Sequence, residues 1–146
     1  MSRQFSTAAA VFKTIGAHRG IYAARPIKAA DQVLEVHGEV RPGPPDQHSL
    51  QIGPDLHLFG PKEEKVPCDQ EVGIYGWRFL VHSCDPNSRF EPEEPRTIVA
   101  LHNIAAGTQI SIDYNESESD MAVPFDCECG SPKCVGVIRG LKQFRD

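Results

Sequence analysis

The chain has 146 residues, with 20 acidic and 15 basic side chains and a net charge of −5. That length supports one domain with a real core and is too short for two comfortable ones. No basic stripe is present, so direct gripping of nucleic acid through phosphates is not expected, and no apolar run approaches the roughly 20 residues that a membrane-crossing helix needs.

Apolar residues make up 40% of the chain, which is ordinary for a folded domain. Glycine and proline, twelve of each, exceed their usual joint share of roughly 12%. That excess favours many short strands and turns over long helices. Met1 to Ala10 is rich in Ala and Ser and short of acids, faintly like a transit peptide, yet it runs into a strand-like stretch with no cleavage-type break. An intracellular protein without a secretory signal is expected, cytoplasmic, or nuclear in a eukaryote. Five cysteines, an odd number, favour metal binding over a disulfide framework.

Taken in order, Val11 to Ile15 reads as a short strand, Gly16 to Gly20 as a turn and Ile21 to Ala24 as a second strand. Pro26 follows, and proline cannot donate to a ladder. Val33 to Val40 has the β-branched content of another strand. Pro42 to Pro45 breaks the chain. His48 to Phe59 holds two short runs around Gly53-Pro-Asp55, the pattern of a hairpin. Pro61 to Gly73 is polar and charged and reads as an exposed loop or a short irregular helix. Ile74 to Val81 is aromatic-rich and leads into the tight polar segment His82 to Asn87. Arg96 to His102 reads as a strand, Ala105 to Gly107 as a turn, and Gln109 to Tyr114 alternates isoleucines with the period of a half-buried strand. A polar run from Asn115 to Asp120 precedes a cysteine-rich tail. The sum is a β-dominated fold of short strands.

Within the tail, Cys127, Cys129 and Cys134 have the spacing C-x-C-x4-C, and Gly130 and Pro132 can turn the chain so that three sulfurs converge. Three thiolates leave a tetrahedral zinc one ligand short. Cys84, in the tight turn, and Cys68, in the charged loop, are the two candidates for the fourth. A four-sulfur site has no open coordination position, so such a zinc is structural.

Several segments together resemble the SET-domain family of lysine methyltransferases. Arg78-Phe-Leu-Val-His-Ser-Cys-Asp-Pro-Asn87 resembles the family's R-F-x-N-H-S-C-x-P-N. Ile110 to Tyr114 resembles its L-x-x-D-Y strand. Cys127 to Gly136 is similar to the post-SET tail C-x-C-G-x-x-x-C-x-G. Arg19 to Ala23 looks like R-G-V-F-A, and Glu35 to Glu39 looks like E-Y-x-G-E. One such match is weak, but five in order over about residues 11 to 140 are strong.

The resemblance implies small curled β-sheets closed by a C-terminal pseudoknot. It divides the chain into an N-terminal segment 1–10, a SET-like domain 11–120 and a post-SET zinc-binding tail 121–146. It makes Cys84 the fourth zinc ligand beside Cys127, Cys129 and Cys134. It places S-adenosylmethionine against Arg19, Gly20, Ile21, Tyr22, Val81 and His82, with Phe125 over the adenine, and makes Tyr114 the catalytic residue. The implied activity is N-methylation of a lysine on a protein or peptide.

The chain departs from the family pattern at five places. Val81 replaces the asparagine that holds the amino group of the cofactor's methionine part, and Val36 replaces the tyrosine of E-Y-x-G-E. His18 stands for the first glycine of the early G-x-G turn, Gln109 for a glutamate, and Ile112 for an aromatic two residues before the tyrosine. These changes leave two alternatives beside the methyltransferase: a SET-fold binding module without methyl transfer, and a small-molecule-modifying enzyme on the same fold.

Overall fold

A computed structural model describes residues 9–16, 18–60 and 75–142. The charged stretch from Pro61 to Gly73, with Cys68, lies outside the described residues. Strand β1 (Ala10–Ile15) and strand β2 (His18–Ala23) form an antiparallel hairpin, paired from Ala10↔Ala23 to Ile15↔His18. Gly16, at φ +62°, turns it, a backbone region that L side chains rarely adopt.

Two three-stranded sheets follow. One has the order β3 (Gln32–Glu35), β9 (Thr97–Ala100), β8 (Ser88–Glu91), and the other the order β4 (Glu39–Pro42), β6 (Leu56–Phe59), β5 (Leu50–Gly53). The sequence pattern of Val33 to Val40 suggests one strand, but the structure splits it between these sheets. Gly38 is the break. A Cβ there would sit 2.6 Å from the Phe59 carbonyl, so the chain passes too close to β6 for any other residue. The His37 carbonyl at this crossing accepts a 2.8 Å hydrogen bond from the Trp77 indole.

β7 (Val81–His82) and β10 (Ser111–Ile112) pair in parallel, and β11 (Phe125–Asp126) pairs antiparallel with β12 (Val137–Ile138). The isoleucine alternation at 110 and 112 suggests a half-buried strand. Here Ser111 is buried as well, because its hydroxyl and N–H are tied to Asn87 on the opposite side. The ladder is also shorter than the pattern suggests, since Tyr114 opens a helical turn, α1 (Tyr114–Ser117). Strand β8 was not evident in the sequence, because Phe90 stands alone among polar neighbours.

Phe12, Ile21, Ile27, Leu58, Ile98, Ile110 and Ile112 are fully buried and fill one core between hairpin and sheets. Each such side chain stabilises the fold by roughly 1.5–3 kcal/mol. Phe12 meets Phe79 edge to face, with ring centroids 5.2 Å apart. Phe79 belongs to a 3₁₀ turn (Gly76–Phe79) that leads directly into β7.

The C-terminal end is locked onto α1 by backbone groups. The side-chain oxygen of buried Asn115 accepts from the N–H groups of Gly140 (2.7 Å) and Arg139 (3.3 Å), and its carbonyl accepts from Leu141 N–H at 3.0 Å. The Glu118 carbonyl accepts from Lys142 N–H at 2.9 Å. Gly140 has φ +93°, and a Cβ there would lie 2.8–2.9 Å from Asp120 N and the Glu118 carbonyl.

Candidate functional site

The His82 to Asn87 turn is fixed by its own polar side chains. Asn87 donates to the Gln109 carbonyl at 2.8 Å, and its side-chain oxygen accepts from Ser111 N–H at 3.0 Å. These bonds hold the turn against β10. They leave Asn87 a scaffold residue with no group aimed at either pocket.

His82 is the joint between two sites. Its side chain is 2% exposed. Tyr114 N–H donates to His82 Nδ1 at 3.0 Å, so the ring proton sits on Nε2, which faces the Cys84 sulfur at 3.3 Å. Burial lowers the His82 pKa, against an opposing pull from Asp113, whose carboxylate lies 3.7 Å from Nδ1. The neutral ring thus connects the start of α1 to the cysteine cluster.

In that cluster, the sulfurs of Cys84, Cys127, Cys129 and Cys134 all lie within 4.8 Å of one another. Cys84 and Cys127 Sγ are 3.9 Å apart. Tetrahedral zinc with bonds of about 2.3 Å needs sulfurs about 3.8 Å apart. Cys129 N–H donates to Cys127 Sγ at 3.4 Å, and Gly130 and Gly136, at φ +75° and +89°, turn the chain around the group. Lys133 Nζ lies 3.4 Å from Asp85, a second tie between the tail and the Cys84 turn. The donor set and its spacing fit a structural metal. The sequence left Cys84 and Cys68 open on spacing alone; among the described residues it is Cys84 that joins the three tail sulfurs.

Three pockets meet at Tyr114, and two of them bear on the chemistry. The first is an open cleft of about 600 Å³, within the size range of ligand pockets. It is lined by Arg19, Tyr22, Val81, His82 and Phe125 together with Leu80, Gln109 and the Cys127–Cys129 backbone turn. Phe125 stands edge-on to both His82 and Tyr114, at 5.9 and 6.1 Å between ring centroids. Gly20 lies on the adjoining strand, where a Cβ would meet the Gln109 amide at 2.5 Å. Ile21 faces away: its side chain is fully buried in the core and its carbonyl accepts from Ile110 N–H. Ile21 therefore does not line the cleft, unlike Arg19 and Tyr22 on either side of it.

The second pocket is a cavity of about 40 Å³, walled by Trp77, Leu80, Ile112, Tyr114 and Glu118 and rimmed by Asp46 to Leu50. Leu80 and Tyr114 are common to both pockets. The Tyr114 hydroxyl donates to the Leu80 carbonyl at 2.5 Å. Burial, and then the charge of Glu118, push its pKa up to about 12. The phenol stays protonated at any ordinary pH. It acts as a fixed dipole with its lone pairs free, and not as a base.

Glu118 and Trp77 were not singled out by the sequence. Asp113-Tyr-Asn-Glu116 is a D-x-x-E helix-start pattern, and Asp113 indeed caps α1 by accepting from Asn115 N–H at 2.9 Å. Reading that signal would have put Tyr114 and Glu118, four apart, on one face.

The SET-domain pattern matches residues 18–115, and the chain belongs to the SET-domain family. It is 31% identical over 134 residues to the histone-lysine N-methyltransferase TRX1 of Oryza sativa subsp. japonica, covering 84% of this chain and 13% of that protein. It is 31% identical over 131 residues to an H3 lysine-4 specific histone-lysine N-methyltransferase of Saccharomyces cerevisiae, covering 82% and 12%. A methyltransferase of Aspergillus flavus, flvH, is 35% identical over 97 residues, covering 66% and 47%. The chain thus spans only a small part of the histone methyltransferases it matches. Among solved structures, KRYPTONITE in complex with mCHH DNA, an H3(1-15) peptide and SAH superposes with a TM-score of 0.62 at 19% identity, covering 88% of this chain and 29% of that one. The methyltransferase domain of human SETMAR gives 0.59 at 19% identity, covering 91% and 58%. At this identity the two structures establish the shared fold.

Proposed function

We propose that the chain is an S-adenosylmethionine-dependent N-methyltransferase acting on a lysine side chain of a protein or peptide. One observation carries this reading: Tyr114 lines both an open cleft and a smaller, narrower cavity. Methyl transfer from a sulfonium to an amine is an in-line displacement, so donor and acceptor must approach one carbon from opposite sides. Two pockets sharing a wall supply that arrangement.

S-adenosylmethionine, when bound, supplies a methyl group already activated for displacement. The cleft residues fit it. Arg19 to Tyr22 and His82 offer backbone groups, Phe125 an aromatic face, and Gly20 a surface without a Cβ. Val81 in the cleft leaves one polar group of the cofactor to another partner.

On the other side, the acceptor amine must be neutral, against an ordinary lysine pKa of about 10.4. The walls of Trp77, Leu80 and Ile112 disfavour the charged form. The Tyr114 hydroxyl, spending its proton on the Leu80 carbonyl, turns a lone pair to the amine or to the methyl hydrogens and fixes the line of attack.

In this reading Cys84, Cys127, Cys129 and Cys134 hold a structural zinc. It fixes the tail, residues 121–146, against a SET-like unit spanning 11–120. The relatives' histone substrates and this chain's net charge of −5 support a basic protein target, and with it a nuclear or cytoplasmic site of action.

The test is transfer of labelled methyl from the cofactor to histone H3 and to mixed cellular protein. Tyr114→Phe should lower the rate at least a hundredfold while binding of the demethylated cofactor stays within twofold. No calorimetric binding of either cofactor form by the purified zinc-loaded protein would end the proposal.

A further inference from the structure

We propose that Glu118 is the amine-binding residue of the acceptor cavity: its carboxylate makes that cavity select a cationic amine over a neutral group of the same shape. The inference rests on the methyltransferase reading for its biological meaning, but the binding itself does not; on that reading Glu118 captures the lysine as an ammonium, which must then give its proton to water before it becomes the neutral nucleophile.

Glu118 is 5% exposed and lines the cavity beside Tyr114. It has no basic side chain as an ion-pair partner among the described residues. Its Oε2 accepts from Gln51 N–H at 2.9 Å, and the Ser117 hydroxyl also favours its charged form. Gln51 is itself held in place. Its amide donates to the Gly53 carbonyl at 2.9 Å, and its side-chain oxygen accepts from Ser119 N–H and hydroxyl at 2.8 and 2.9 Å. The carboxylate therefore sits in a rigid frame that satisfies part of its hydrogen-bonding capacity and supplies no positive charge.

A buried carboxylate without a counter-ion is costly, and most folds avoid one. Burial pushes the Glu118 pKa up to about 7, so an incoming ammonium would relieve a strain already present. The volume suits this, because about 40 Å³ holds roughly three water-sized groups. That is an amine head with its last two methylenes. The other ionisable groups of the wall are Tyr114, Asp46, His48 and Arg78. Tyr114 is neutral, Asp46 adds to the negative field, His48 is at the rim, and Arg78, packed beside Gly60, brings one opposing positive charge to the wall.

The test uses Trp77, the chain's one tryptophan, as a reporter in the cavity wall. Its fluorescence is titrated at pH 8 with n-butylamine and with n-butanol, in the zinc-loaded wild type and in Glu118→Gln. The amine should bind the wild type at least tenfold more tightly than the alcohol. The preference should shrink to less than threefold in Glu118→Gln and should also fade in the wild type below pH 7. Equal binding of amine and alcohol by the wild type, or a preference unchanged in the variant, would overturn the proposal. The wild-type comparison needs no variant to fold. With a lysine peptide, Glu118→Gln should raise KM about tenfold with kcat less affected. Amine selectivity without any methyl transfer would sink the methyltransferase reading and leave this binding site standing.

Discussion

Replacing Glu118 with glutamine should stabilise the protein by an amount that grows as pH rises from about 4.5 to 7 and levels off above that. Glu118 has an ordinary pKa of 4.5 in the unfolded chain and about 7 when folded, raised by burial. A folded-state pKa above the unfolded value means that the folded state holds its proton more tightly. The resulting stability is fully present below pH 4.5 and is lost as pH rises through 7. At about 1.4 kcal/mol per pH unit, that interval costs the wild type ~3 kcal/mol by pH 8.5. Glutamine cannot ionise and keeps an oxygen for Gln51 N–H. The advantage of Glu118→Gln should therefore be small at pH 5 and grow to ~3 kcal/mol at pH 8.5, on the order of 10 °C in Tm for a chain of this size. Urea unfolding of both proteins, at constant zinc across this range, measures it. The difference between the two removes other titrating groups. A stability difference that stays flat from pH 5 to 8.5 would refute the reasoning, because it would mean that Glu118 titrates alike in folded and unfolded chains.

Three further outcomes are expected. Protein purified without added metal should contain one zinc per chain by elemental analysis, and Cys84→Ser or a strong chelator should remove it and lower stability by several kcal/mol; retention of the metal by Cys84→Ser would exclude this residue as a ligand. Gly140→Ala should destabilise by more than ~2 kcal/mol in thermal unfolding, since it sets a Cβ against the backbone at 118–120 as well as forcing a positive φ. Val81→Asn should tighten binding of the demethylated cofactor by about tenfold in calorimetry, the worth of one hydrogen bond to a charged group, and no gain would show that the cofactor's amino group is held elsewhere.

What could be read from the sequence was local pattern and spacing. The cysteine tail, the His82 to Asn87 turn and the strand before Tyr114 each carry their signal within ten residues. What could not be read depends on contacts made far along the chain. Val33 to Val40 has the composition of a single strand, and only the passage of Gly38 against Phe59 divides it. Ser111 sits where a surface residue is expected and is buried because Asn87, 24 positions away, satisfies it. Glu118 lies in a run of polar residues that reads as solvated. Its burial comes from Gln51, 67 positions earlier, and no periodicity reports such a pairing. The same holds for Asn115, whose amide oxygen gathers the N–H groups of residues 139 and 140.

The wall that Phe125 and the Cys127–Cys129 turn give to the open cleft has a consequence for how the protein matures. The sheets and the hairpin can assemble around their isoleucines as soon as residues 10–112 have left the ribosome, yet at that stage one side of the cleft is still missing. Closing it requires the later residues to fold back and, on the proposed zinc reading, four sulfurs to find one ion. On that reading metal supply would act as a licence issued after synthesis: in a zinc-starved cell, less stable and incompetent chains should accumulate, ready to be completed when the ion returns.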